Sequence, residues 1–161
     1  MGFMNFKAIA VAAIVPLLIG AIWYNPKIGF GLKWMRFAEM TEEKLKSGNV
    51  ALIFGLTLLF SFMLSMTING VVIHQVGAQQ MVYDQYLEAE SYVAFMEEFG
   101  NMHRNWKHGL LHGALAGVFF VLPVLGINAL FERKGFKYIL INVGYWVVTL
   151  AIMGTILCAW K

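Results

Sequence analysis

Apolar residues along this chain fall into four long blocks separated by shorter polar stretches. The blocks cover residues 3–24, 50–78, 109–131 and 138–160. The second holds 29 consecutive residues with no Asp, Glu, Lys or Arg, and the third holds 23. About 20 apolar residues at 1.5 Å rise cross roughly 30 Å of hydrocarbon, so each block is long enough for one passage. The pattern predicts an all-α integral membrane protein: a single domain, residues 1–161, with four transmembrane helices in a bundle. The first block is longer than a signal-peptide core and no A-x-A-like site follows it, so it reads as a retained crossing.

Local signals refine each block. Pro16 removes a backbone donor and frees the Ala12 carbonyl, which predicts a kink in the first crossing. Residues 28–40 place Phe30, Trp34, Phe37 and Met40 at helical spacing beside Lys33 and Arg36, the composition of a short interfacial helix. Thr41 is suited to cap a helix that opens with Glu42 and Glu43 and runs on into the second crossing. In that crossing Ser61, Ser65 and Asn69 recur every four residues. Such a polar stripe in lipid is expected to face other helices. Residues 79–107 are acidic, with Asp84, Glu88, Glu90, Glu97 and Glu98 interleaved with Tyr92, Phe95, Phe99 and Trp106. They predict an amphipathic helix outside the lipid, weakened at Gly100 and continuing toward the third crossing. The third crossing carries Gly109, Gly113 and Gly117, a doubled small-xxx-small run that admits a close neighbour. Pro123 predicts a kink by freeing the Phe119 carbonyl.

Composition sharpens the class. The 161 residues are 60% hydrophobic and only 13% charged, against roughly 25% charged in soluble domains. The net charge of +3 does not indicate nucleic-acid binding, because the basic residues lie between the apolar blocks. Of the 12 Lys and Arg, eight (Lys27, Lys33, Arg36, Lys44, Lys46, Arg133, Lys134, Lys137) share one side of a four-crossing topology, and four (Lys7, Arg104, Lys107, Lys161) share the other. The positive-inside rule puts the first set in the cytoplasm, with both termini and residues 79–107 outside, in the periplasm if the organism is Gram-negative. Cys158, the single cysteine, reads as a small core residue.

Candidate chemistry is concentrated in the histidines. His74 ends the second crossing, while His103, His108 and His112 open the third, so all four belong to one membrane face whichever way the chain is oriented. His108 and His112 stand at i and i+4 on one helix face, as metal-binding pairs do, with His74 available as a third ligand. Two histidines on facing helices also suit axial ligation of a haem. The plainest reading is that they bond neighbouring helices or lipid headgroups. The carboxylates of 84–98 read as a solvated face. Glu132 and Arg133 read as a helix-end charge pair, with a link to the 27–46 loop also open. No ionisable residue lies mid-crossing, which argues against a proton relay. There is no nucleophile elbow, P-loop or dinucleotide fingerprint, and no catalytic residue is assigned.

Several stretches carry a wider likeness: WYNP (23–26), FGLKWMR (30–36), HGLLHG (108–113), NALFER (128–133), YILINVGYW (138–146) and MGTILCAW (153–160). Through them nearly the whole chain resembles a bacterial membrane family defined as domain of unknown function 1761. The resemblance implies four membrane helices and brings no activity, substrate or catalytic residue. The leading functional expectation is therefore a non-enzymatic interaction or accessory protein, as a homo-oligomer or with other membrane subunits, and with no required cofactor. Two alternatives stand beside it. One is binding of a metal, haem or lipid-like ligand by His74, His108 and His112. The other is a small channel or transporter lined by Ser61, Ser65, Asn69 and Asn128.

Overall fold

A computed structural model describes residues 4–82 and 88–160 of the chain. The expected start at Phe3, the acidic residue Asp84 and the terminal Lys161 lie outside the described residues. Every regular element among the described residues is helical. Among the described residues four helical stretches are long and apolar enough to cross a membrane: Phe6–Trp23, Val50–Val72, Trp106–Phe131 and Phe136–Ala159.

The first stretch is two helices, α1 (Phe6–Ala12) and α2 (Val15–Trp23), with Ala13 and Ile14 between them. The Asn5 side chain caps α1 by accepting from the amides of Lys7 and Ala8 at 3.1 Å. The break precedes Pro16, which has no N–H to continue the ladder. The Tyr145 hydroxyl of the last crossing donates to the Pro16 carbonyl at 2.9 Å and so ties the start of α2 to that helix. The interfacial helix is α3 (Gly31–Ala38). Gly31 is required at its start, because a Cβ there would collide with the Tyr24 carbonyl.

Thr41 caps α4 (Glu42–Lys46), its hydroxyl accepting from the Lys44 amide at 3.2 Å. This helix does not run on into the membrane as expected. It stops at Ser47, and the Asn49 side chain caps a new helix, α5 (Val50–Val72). An ion pair ties the connector to the 132–137 turn: Lys134 Nζ lies 2.8 Å from a Glu39 carboxylate oxygen. The basic partner on the 132–137 turn is thus Lys134, and the acid lies on the 27–46 loop. The hydrogen bond and charge of Lys134 hold the exposed Glu39 carboxyl below the ordinary carboxylate range. A depressed carboxyl stabilises the fold while ionised. The tie is therefore complete above the ordinary carboxylate pKa, and is lost as pH falls through the lowered value. Because the pair is solvent-screened, Glu39→Gln should move the thermal unfolding midpoint by no more than about one degree at neutral pH. The two proteins should become indistinguishable in strong acid.

The uncharged run through 78 is not one helix. α5 ends at Val72, Ile73 is extended, and α6 (Gln75–Met81) begins after His74. α7 (Glu90–Phe99) stops at Gly100 and does not feed into the third crossing. His103 then adopts φ 61°, and Asn105 caps α8 (Trp106–Ala116). The predicted kink at Pro123 is resolved as a π-helical segment, Gly117–Val121, ahead of α9 (Leu122–Phe131). A wide turn accommodates the missing proline donor by shifting the bonding pattern over one turn. The residues turned toward the last helix show it: Gly109, Gly113 and Gly117, then Leu122 and Ala129, with a step of five across the π segment.

The last helix, α10 (Phe136–Ala159), is the hub. It runs antiparallel to α8, with Gly109 against Gly154 and Gly113 against Leu150. The glycine run therefore meets a helix of its own chain. Ala8, Ile9 and Ala12 of α1, Ile68 and Val72 of α5, and Leu150, Met153 and Leu157 of α10 form the core. The outer faces remain apolar, as with Leu52, Phe60, Phe119 and Phe131, which suits lipid contact.

Candidate metal-binding site at the histidine rim

Two breaks in the helices build the site. The extended Ile73, itself buried, ends α5 and sets His74 at the head of α6. Across from it, the Asn105 side chain accepts from the His108 amide at 3.0 Å, which fixes the first turn of α8. His108 and His112 then project from one face, one turn apart, as their spacing predicts. The structure brings His74, His108 and His112 together, with one ring nitrogen from each all within 4.8 Å of one another. The Nε2 atoms of His74 and His108 are 3.1 Å apart. Either ring can donate in that bond, depending on the tautomer. The His108 and His112 ring centroids lie 4.2 Å apart, and His74 is edge-on to both at 4.9 Å. His103 stacks on His108 at 4.9 Å with nearly parallel planes, so it backs the cluster and stands outside the triad.

Supporting contacts come from residues the sequence did not single out for this role. The Gln75 amide nitrogen donates to the carbonyls of Phe99, at 2.8 Å, and Met102, at 2.9 Å. It thereby ties α6 to the connector that carries His103. The Cys158 thiol, fully buried, lies 3.3 Å from the His103 carbonyl and 3.5 Å from the Val72 carbonyl. The Arg104 guanidinium donates to the Trp160 carbonyl at 2.9 Å. The only sequence signals were amide, thiol and guanidinium groups close to the rim, and these are too common to point at a site. Gln75→Ala removes both of its bonds at a cost of about 1 kcal/mol or more. We expect cleavage at Glu97 and Glu98 by a glutamate-specific protease to rise about fivefold, with the thermal midpoint of the four long helices nearly unchanged.

The other predicted residues lie elsewhere. Gly109 and Gly113 sit under the site in the seam with α10, and an added Cβ at Gly117 would come 2.7 Å from Val147 Cα. Ser61, Ser65 and Asn69 are buried as a stripe toward the core, whereas Asn128 is exposed on the outer surface. These four do not share one lining.

Comparison with known families places the chain. The family described as "Protein of unknown function (DUF1761)" matches residues 7–158. The chain belongs to the DUF1761 family. Comparison with curated proteins and with solved structures gave no match. The DUF1761 match includes all four histidines and both helix breaks that position them. It assigns them no role.

Proposed function

We propose that this protein binds a single d-block cation, with zinc as the reference ion, through His74, His108 and His112 at one face of the membrane. The observation that carries this reading is the convergence of three imidazole nitrogens from two separate helices within 4.8 Å. Zinc–nitrogen bonds of about 2.0–2.1 Å at tetrahedral angles put ligand nitrogens about 3.3–3.4 Å apart. The His74–His108 distance of 3.1 Å is already close to that. The widest edge needs to close by at most about 1.4 Å, which a ring rotation supplies. Nitrogen-only donors suit zinc, copper, nickel or iron and not the hard cations that take oxygen.

A haem fits this arrangement poorly. A porphyrin must lie between its two axial nitrogens, and here the closest pair is in direct contact with a third ring beside it. The reading of the chain as an association subunit draws on the small-residue faces, the aromatic-rich polar segment and the absence of a catalytic constellation; of these, the glycine run is occupied by α10. The convergence of the three imidazoles favours a binding role at the rim. The eight-to-four distribution of basic residues supports an orientation with the histidine rim outside, and the family resemblance implies a bacterial inner membrane as its setting.

Titration of purified protein in detergent with cobalt(II) tests the proposal, because tetrahedral cobalt absorbs strongly in the visible range. One equivalent of cobalt is expected to produce such a spectrum, and zinc to bleach it. A protein that stays colourless and retains no zinc after desalting would refute the reading.

A further inference from the structure

At the opposite end of α10 from the histidine rim, two segments far apart in sequence bring cations together. The turn between α2 and α3 is tight. The Phe30 amide donates to the Trp23 carbonyl at 2.7 Å, and a Cβ at Gly29 would collide with the Ile22 and Trp23 carbonyls. Trp34 then meets Tyr24 edge-on, with ring centroids 5.3 Å apart. These contacts hold α3 at the level of Trp23, where the first apolar stretch ends. We propose that α3 and the first turn of α10 bind the headgroup of an anionic phospholipid, with Lys33, Arg36 and Lys137 as its cationic contacts.

Charge and apolarity together select this occupant. Residues 27–46 and 132–137 carry eight basic and four acidic residues. Two of the acids are taken up, Glu39 by Lys134 and Glu42 by Lys46. Six basic residues then stand against Glu43 and Glu132, an excess that attracts anionic headgroups. Lys33 and Arg36 are exposed and one turn apart on α3. The Lys137 ammonium lies 5.8 Å from the centre of the Phe37 ring, and that of Lys33 lies 5.9 Å from the centre of Phe30. The two rings thus seat one ammonium at each end of α3. Arg36 adds the forked donors that match phosphate oxygens. A soluble anion would need only the charge. Here Leu32 on α3 and Phe136 beside Lys137 are also exposed, which suits acyl chains below a phosphate and not water.

The experiment uses full-length protein in a neutral detergent. The probes are dioctanoyl phosphatidylglycerol and dioctanoyl phosphatidylcholine, equal in chain length and offered as an equimolar mixture. Native mass spectrometry counts the lipid retained. Wild type is expected to prefer phosphatidylglycerol by at least about tenfold, since each basic residue at a membrane surface contributes about fivefold. Lys33→Gln and Arg36→Gln together should abolish the preference, and Lys137→Gln alone should reduce it to about twofold. Lys44→Gln with Lys46→Gln removes the same charge from α4 and should leave the preference within about twofold of wild type. All five side chains are exposed, so the variants should fold as wild type does. No preference in the wild type overturns the proposal. So does an equal loss in the α4 variant, which would mark a diffuse charge effect, or a preference that survives in both the α3 and the Lys137 variants. Excess glycerol 3-phosphate should not displace the lipid; displacement would make a soluble phosphate the occupant and overturn the lipid assignment.

Discussion

Replacing His108 and His112 together with alanine is expected to lower cobalt or zinc affinity by at least about a thousandfold. Zinc binding to small closed sites is worth roughly 10–16 kcal/mol at neutral pH, or about 3 kcal/mol per ligand when shared over four. Each lost imidazole then costs on the order of a hundredfold. The two losses compound, because His74 alone offers no chelate. His103→Ala removes a ring that stacks on His108 without joining the triad. It should therefore cost about tenfold or less, the scale of a supporting contact. Competition titration against a chromophoric chelator measures both. Equal loss in the single and double variants, or none in either, would sink the assignment. The His108→Ala, His112→Ala protein should remain folded, since these rings stand outside the buried core.

The second large effect concerns the seam. Gly113→Leu is expected to separate α8 from α10 and abolish the folded state in mild detergent. A Cβ at this position would run into the Leu150 carbonyl and the Ala151 backbone. Backbone cannot rotate aside as a side chain does, so the helices must part along their whole contact. Ordinary overpacking costs about 1–3 kcal/mol, and a clash with backbone belongs at or above the top of that range. Gly55→Ala is the internal comparison. Nothing lies within 4 Å of a Cβ there, so the change should be neutral or stabilising by up to about 1 kcal/mol through helix propensity. Thermal melting followed by circular dichroism reads both. A Gly113→Leu protein that melts within a few degrees of wild type would show that the close approach is dispensable.

Much of this architecture was legible in advance, for reasons specific to particular residues. The four helices able to cross a membrane announce themselves because lipid forbids charge along their length. The inward placement of Ser61, Ser65 and Asn69 followed from the cost of hydroxyl and amide groups in hydrocarbon. That the histidines share a rim followed from connectivity alone. What the sequence hid was long-range or lacked a local marker. Nothing in IHQ distinguishes the break at Ile73 from a continuing helix, because Ile, His and Gln all tolerate helical backbone. The glycine run showed that some helix comes close but not which, since a small surface carries no address. Glu39 and Lys134, 95 residues apart, meet only because α3 and the turn before α10 return to one level. Gln75 gave no advance sign that it would bridge to Phe99 and Met102.

The wide turn at Gly117–Val121 has an implication for how the third crossing encodes its two halves. One additional residue there advances the phase of everything beyond it by about 100°. Removing any single residue of the five would barely shorten the helix, yet it would swing Ala129 away from Ile139 and Val143, its neighbours in the smaller core. The upper half, which holds the imidazoles, would keep its angle. Chain length at this point thus works as an angular setting, and the membrane-buried half can be turned relative to the rim without altering a single side chain in either.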